Sequence, residues 1–397
     1  MTEKTAGDEV YIKLQKFLDG MATGFTATES DADIELLKWM FKPEEAEVEI
    51  HMRAVPEPAD VIAKRCGKPE AEVEEILESM VKRGLVFPYP MKKQKLYMAM
   101  NFVPGIVENM PKRMDKESAQ LAERYLEDSG FLQTATDQKQ MRVVPVGAAV
   151  DTTSAVATYD RIRDMVKEQE LISVTPCPCR EKKGFLGEPC DRPIDNELAF
   201  GTAARYRIDN DFGREIGVEE ALKIIDEAEE SALVITPLNT QEAFAMCLCC
   251  GCCCDFLRGL KTFDRPADHV QSSFQARIDP DLCTACGICL ERCQMDAIIE
   301  NEVMEIDLAR CIGCGLCLST CPEEAVSMTP KLGVQEPPLT ILSLLAGIAA
   351  KRGLPSGNME RFVRKTSMAS NARTWEVLYR LRLAKPIINR LAKKGYV

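Results

Sequence analysis

Eight cysteines between positions 283 and 321 constrain this chain more than any other feature. They read C-T-A-C-G-I-C-L-E-R-C at residues 283–293 and C-I-G-C-G-L-C-L-S-T-C-P at residues 311–322. Each half is C-x2-C-x2-C-x3-C. Three thiolates in one tight loop can hold three corners of an iron–sulfur cubane. The fourth cysteine, at the start of the following helix, points the other way and reaches the cluster of the opposite half. Cys283, Cys286, Cys289 and Cys321 are therefore assigned to one [4Fe–4S] cluster, and Cys311, Cys314, Cys317 and Cys293 to a second. Gly287, Gly313 and Gly315 suit loops whose amides turn inward, often at positive φ. Zinc sites pair two C-x2-C knuckles rather than two quartets ending in x3-C, so zinc and disulfides are the weaker readings.

With this spacing, residues 274–330 resemble a bacterial two-cluster ferredoxin, and the resemblance implies a β-α-β ferredoxin-like domain. One departure stands out. Gln294 occupies the place where the first repeat would often carry Pro, which loosens a turn but removes no ligand.

The chain has 397 residues, 18 of them Cys. In so long a chain, with no apolar leader in its opening residues, that many cysteines read as metal ligands in a reducing, cytoplasmic compartment. The formal net charge of −12 argues against a general nucleic-acid binder. The longest apolar run, residues 339–350, is too short to span a bilayer.

A second constellation lies upstream. A short apolar stretch, residues 171–175, runs into P-C-P-C-R with Cys177 and Cys179, and Cys190 follows in a Gly-containing loop. Helices are expected at 159–170, 197–206 and 218–230, and a strand at 233–236. Residues 243–246 then lead into C-L-C-C-G-C-C-C, with Cys247, Cys249, Cys250, Cys252, Cys253 and Cys254. Both groups follow short strands, so adjacent strands would carry them to one end of a sheet. Nine thiols with no nearby histidine suit a third iron–sulfur cluster, expected as [4Fe–4S], with tetrathiolate zinc as the competitor. Neighbouring cysteines diverge, which favours one cluster bridging the groups. Cys177, Cys179 and Cys190 would hold one side, and one of Cys249, Cys250 or Cys252 the other. A Cys-Cys-Gly module of the heterodisulfide-reductase type would need Cys283 and Cys286, which the ferredoxin quartet already uses. His269 is read as exposed and alone.

Residues 31–110 read as three helices followed by a hairpin. Asp31 is expected to cap the first helix, and Pro43 and Pro69 to open later ones. This layout resembles a winged helix. Its second helix carries Glu70, Glu72, Glu74, Glu75 and Glu78, which would repel a phosphate backbone. A protein–protein module is therefore expected, with the basic residues Lys92, Lys93 and Lys95 confined to the hairpin. Residues 133–140 read as a polar linker. From Lys351 onward the chain carries about twelve Lys or Arg and two Glu.

The expected architecture is an α+β multidomain protein. A winged-helix-like domain (1–110) is followed by a helical linker (111–141) and a Cys-rich α+β domain (142–273). A ferredoxin domain (274–330) and a basic helical tail (331–397) complete it. That order resembles dicluster iron–sulfur proteins of anaerobic bacteria, a group without an assigned activity. No phosphate-binding Gly-rich loop and no carboxylate pair suggests other chemistry. One-electron transfer is the expected function, with a larger flavoprotein or molybdenum/tungsten oxidoreductase as partner. The tail would dock on that partner, on an anionic membrane face or on the chain's own acidic body. The alternatives are a redox-sensing transcriptional regulator and a thiol/disulfide oxidoreductase acting at the cysteine run.

Overall fold

The structure is a computed structural model that describes residues 8–90, 95–146 and 160–354. Lys92, Lys93 and the basic stretch from residue 355 lie outside it.

The N-terminal part begins with α1 (Glu9–Asp19), α2 (Ala32–Met40), α3 (Pro43–Glu49), strand β1 (Glu57–Pro58), α4 (Ala59–Cys66) and α5 (Glu70–Lys82). The hairpin β2 (Val86–Pro90) and β3 (Lys95–Ala99) follows. β3 pairs with both β1 and β2, giving a three-stranded antiparallel sheet of order β1-β3-β2. Pro43 opens α3, as its fixed φ allows. Asp31 does not cap α2 through its side chain. It takes a left-handed φ of 58° instead. The exposed face of α5 carries Glu70, Glu72, Glu74 and Glu75, while Glu78 binds Lys95 and Tyr97 of the hairpin.

Next come α6 (Lys116–Ser129) and α7 (Phe131–Asp137). Asp115 caps α6 by accepting the Ser118 amide at 2.8 Å. Tyr125 and Phe131 enter the N-terminal core, where Phe25 stacks on Tyr125 with ring centroids 4.4 Å apart. The polar stretch expected as a linker is thus largely helical and packed. A Cβ on Gly259 would meet the Thr136 hydroxyl at 2.4 Å, so α7 lies directly against the helix that carries Gly259. The stretch is polar in composition because only one face of this short helix is buried.

The middle of the chain is a five-stranded antiparallel sheet. It is built from β5 (Ile172–Pro176), β6 (Asp195–Phe200), β7 (Arg214–Ile216), β8 (Val234–Pro237) and β9 (Ala245–Cys249), in the order β7-β5-β6-β9-β8. Strand β4 (Arg142–Val143) pairs elsewhere. Helices α8 (Ile162–Lys167), α9 (Pro178–Phe185), α10 (Gly201–Asp209), α11 (Val218–Glu230) and α12 (Asp255–Lys261) complete it. β6 occupies the start of the segment expected as a helix at 197–206, and the helix begins only at Gly201. Five of the six residues of β6 are buried, so it is a central strand without the alternation that would mark it. In one row of the ladder, Glu197 pairs with Thr175 on one side and Cys247 on the other. β5 and β9 therefore run parallel to each other, and both end at the same edge of the sheet.

Residues from β10 (Gln271–Ser272) onward return along this body. β10 pairs parallel with β4. β11 (Phe274–Ile278) pairs antiparallel with β14 (Val326–Pro330). Between them lie α13 (Ile288–Arg292) and the hairpin β12 (Ile298–Glu300) with β13 (Met304–Ile306). One continuous apolar core runs from Val143 to Met328, so the last two units share an interior. The chain then passes back over the sheet, where the amides of Gln241 and Glu242 bond the carbonyls of Pro338 and Leu339. It ends in α14 (Ile341–Lys351), packed on Ala22 of the N-terminal part. Among the described residues, no helix is long and apolar enough to cross a membrane.

Candidate metal centres

The two ferredoxin-like loops are related by a 28-residue offset that extends to the backbone. Ala285 and Gly313 take φ of 57° and 71°, Gly287 and Gly315 take 80° and 77°, and Asp296 and Glu324 take 55° and 50°. Left-handed turns at matching places wrap each loop inward. At Gly313 the conformation is also enforced by space, since a Cβ would lie 2.0 Å from the Phe274 carbonyl oxygen.

Each loop opens on a cavity. One is lined by Cys283, Cys286, Cys289 and Cys321, with Ile278 and Val326. The other is lined by Cys311, Cys314 and Cys317 together with Cys293 from the first loop. Backbone amides point at sulfur in the second, from Ala276 to Cys311 at 3.5 Å and from Ala297 to Cys293 at 3.3 Å. Burial raises the thiol pKa of Cys293 and Cys317 and pushes Cys314 up to about 12. Thiols so placed lose their protons only to a cationic centre that takes the proton's place. Four sulfurs around an apolar cavity with inward amides are the donor set of an iron–sulfur cluster. The two cavities differ in position. Cys286 is exposed, whereas Cys311 and Cys317 are buried, and Gln294, which lines the second cavity, bonds Gly251 of the cysteine run.

Upstream, the common sheet edge brings both cysteine groups together, as their position after β5 and β9 requires. They divide differently from the expected single bridging set. Cys190 joins Cys250, Cys252 and Cys253, whose sulfurs all lie within 4.8 Å of one another. Cys177 and Cys179 stand near Cys247, Cys249 and Cys254 in a file of thiols that perturb one another electrostatically. Cys254 is the middle of that file. Contacts from Cys179 and Cys249 and the amides of Leu257 and Phe256 hold its pKa well below the usual thiol range. Adjacent cysteines also converge here, contrary to expectation. The turn at residues 251–253 sets the Cys252 and Cys253 sulfurs 3.6 Å apart.

Cations line these sites. Arg180, 3% exposed, reaches Cys250 Sγ at 3.5 Å and the carbonyls of Leu248 and Pro193. Among the described residues it forms no ion pair with a carboxylate. Arg192 reaches Cys252 Sγ at 3.6 Å and Cys190 Sγ at 3.9 Å. On the far side of the file, Asp255 accepts from Cys179 at 3.6 Å and from buried Lys182 at 2.9 Å. Lys182, Lys183 and Arg258 all converge on Glu123 of α6. Burial alone would raise the Glu123 pKa, but these three cations hold it down at about 2. His269 is neither alone nor placed as a ligand. It stacks on Phe263 and bonds Asp137 at 2.7 Å.

Gln294 is the functional residue whose meaning the sequence hid. Its side-chain oxygen accepts the amide of Gly251 at 2.8 Å. A Cβ on Gly251 would lie 2.3 Å from the Gln294 carbonyl oxygen. The cysteine run is thus pressed against the residue that follows Cys293. Proline at 294 would have no side-chain acceptor for this contact. The departure from the ferredoxin pattern was visible, but its partner 43 residues upstream was not.

Residues 282–326 match the model of the 4Fe-4S dicluster domain family. No curated protein and no solved structure matches the chain. The matched segment, with its two four-cysteine cavities, is a ferredoxin-type iron–sulfur domain that binds 4Fe-4S clusters.

Proposed function

We propose that the protein is an electron-transfer protein or subunit that relays single electrons between a larger redox enzyme and its own middle-domain thiolate centre. The observation that carries this is the placement of the two cavities, one at the surface and one against the cysteine run. The ligand sets are the crossed ones, Cys283, Cys286, Cys289 and Cys321 for the outer [4Fe–4S] cluster and Cys311, Cys314, Cys317 and Cys293 for the inner. Such clusters exchange one electron at a time without making or breaking substrate bonds. The chain supplies the rest. Cys286 and the exposed side chains of Leu282, Ile288 and Leu290 form the face a partner protein would meet. Cys293, Gln294, Gly251 and Cys250 form a short bonded path from the inner cavity to the middle domain.

A third iron–sulfur cluster is assigned to the buried file, with Cys177, Cys179, Cys249 and Cys254 as ligands and Cys247 beside them. The donor set is all thiol, and Arg180 and Lys182 supply positive charge nearby. The order β1-β3-β2, with α4 and α5 between β1 and β2, supports the winged-helix resemblance of the N-terminal part. Its exposed glutamates favour a protein partner over DNA.

Anaerobic purification followed by iron and sulfide counting, EPR and a reductive titration tests this reading. Clusters that take up and release electrons reversibly, with no retention of DNA at physiological salt, are expected. A chain that binds its own promoter in one oxidation state only would be a regulator instead.

A further inference from the structure

The proposed relay assigns Cys190, Cys250, Cys252 and Cys253 to no iron–sulfur cluster, although its path reaches the middle domain at Cys250. We propose that these four form a tetrathiolate site for one thiophilic divalent ion, zinc or iron, distinct from the iron–sulfur clusters.

The spacing carries the argument. The Cys190 and Cys252 sulfurs are 3.7 Å apart, those of Cys252 and Cys253 are 3.6 Å apart, and all four lie within 4.8 Å. A tetrahedral ion with metal–sulfur bonds of about 2.3 Å holds its thiolates about 3.8 Å apart. A cubane interposes four irons and four sulfides, so its four ligand thiols cannot all lie this close to one another; the thiols of the buried file, unlike these, are not all within 4.8 Å of one another. The ferredoxin quartets make that contrast within one molecule. They surround open cavities, and among the described residues no other group of ligand atoms is drawn together this closely.

Local structure explains the spacing. β9 ends at Cys249, and the chain reverses at once through residues 251–253. Gly251 permits the reversal because its missing side chain lets the Gln294 backbone approach. Cys250 and Cys253 then turn into the core, with Cys252 at the surface, and the loop before β6 delivers Cys190 to the same point. Four thiols release their protons to solvent as the ion binds, and four thiolates around a divalent ion leave two negative charges. Two guanidinium groups face the site, those of Arg180 and Arg192. For Arg180 the site supplies an anionic partner at Cys250, in addition to the thiolates of the neighbouring file, and a buried charge left unpaired would be costly.

The test uses the full chain purified anaerobically. Total zinc, iron and acid-labile sulfide are counted per chain, in the unmodified protein and in the double variant Cys190→Ser, Cys252→Ser. The unmodified chain should carry one zinc, or iron in excess of sulfide by one. The variant should lose that one ion while sulfide and the EPR signals of the reduced clusters stay unchanged. X-ray absorption at the zinc edge should then give a sulfur shell at about 2.3 Å with no metal neighbour. Equal iron and sulfide with no zinc in the unmodified chain overturns the proposal, whether or not the variant folds. So does loss of iron and sulfide together from the variant, or a disulfide between Cys190 and Cys252 in the freshly purified protein. None of these outcomes bears on the ferredoxin clusters, whose count is read separately.

Discussion

The side-chain oxygen of Gln294 accepts the backbone amide of Gly251 across the boundary between the ferredoxin-type domain and the middle sheet. Each residue sits beside cysteines with work to do, Gln294 after Cys293 and Gly251 between Cys250 and Cys252. The contact fixes the ferredoxin-type domain and the cysteine run against each other without a side chain of its own on one side. It also explains why glycine interrupts the cysteine run.

Gly251→Ala should therefore be more damaging than Gln294→Ala. The glutamine variant loses one hydrogen bond, worth about 1 kcal/mol. The alanine at 251 forces a Cβ to within 2.3 Å of a backbone oxygen, and overpacking of that kind costs roughly 1–3 kcal/mol. Thermal unfolding should rank the variants in that order. Metal analysis should show middle-domain metal lost from Gly251→Ala, with the ferredoxin-type clusters retained.

Cys293→Ser tests the crossed ligand sets. Cys293 lines the cavity of residues 311–317, not that of its own loop. EPR of the reduced variant should show the inner cluster lost or converted and the outer one intact. Loss of the cluster on residues 283–289 would mean that the ligand sets are not crossed.

Much of this was legible in the sequence, for a physical reason. Ligand spacing within a tight loop is local information, so the residues around both cavities follow from the C-x2-C-x2-C-x3-C quartets alone. Helix α11 and strands β5 and β8 were readable from periodicity and short apolar runs. β6 was not, because a central strand buried on both faces has no alternation to detect. The division of the nine upstream cysteines was not legible either. It depends on the reversal after Cys250, which is set by a backbone contact with Gln294 far along the chain. Arg180 was visible as the end of P-C-P-C-R, but only burial shows that its charge faces thiols and no carboxylate.

Glu49 gives a pH-dependent prediction. Its side chain is fully buried, and neither oxygen has a hydrogen-bond partner. Burial pushes its pKa up from 4.5 to about 8. The carboxyl is therefore protonated in the fold and ionised in the unfolded chain at neutral pH. Its contribution is fully present below about pH 4.5 and is lost as pH rises through about 8. The penalty at pH 8 is on the order of 4 kcal/mol. Glu49→Gln should raise the melting temperature at pH 8 and have little effect near pH 5. A gain that is the same at both values would show that the carboxyl does not titrate in this range.

The end of the described chain bears on how a docking tail should be tested. Residues 339–350 were expected as an apolar helix in search of burial, and α14 finds it on the protein itself. Leu345 and Ala349 pack with Ala22. Arg352 donates to the carbonyl of Met21 at 2.6 Å and to Asp19 at 3.2 Å. A Cβ on Gly24 would lie 2.9 Å from the Arg352 guanidinium, so this arginine is clasped by the loop after α1. The preceding residues are stitched to Gln241 and Glu242. The helix thus links the N-terminal part to the sheet that carries the cysteines. Deleting residues 339–397 should destabilise the fold, and a failure to bind a partner would then prove nothing about docking. Deleting residues 355–397 is the discriminating cut. It removes most of the basic tail and leaves α14 and Arg352 in place. The shortened chain should keep its melting temperature and its iron content while losing salt-sensitive association with a larger redox complex, because charge-driven contacts weaken as the Debye length shrinks to about 3 Å at 1 M salt. Unchanged association, measured by co-purification at low salt, would place the partner's contact on the exposed face around Cys286 instead.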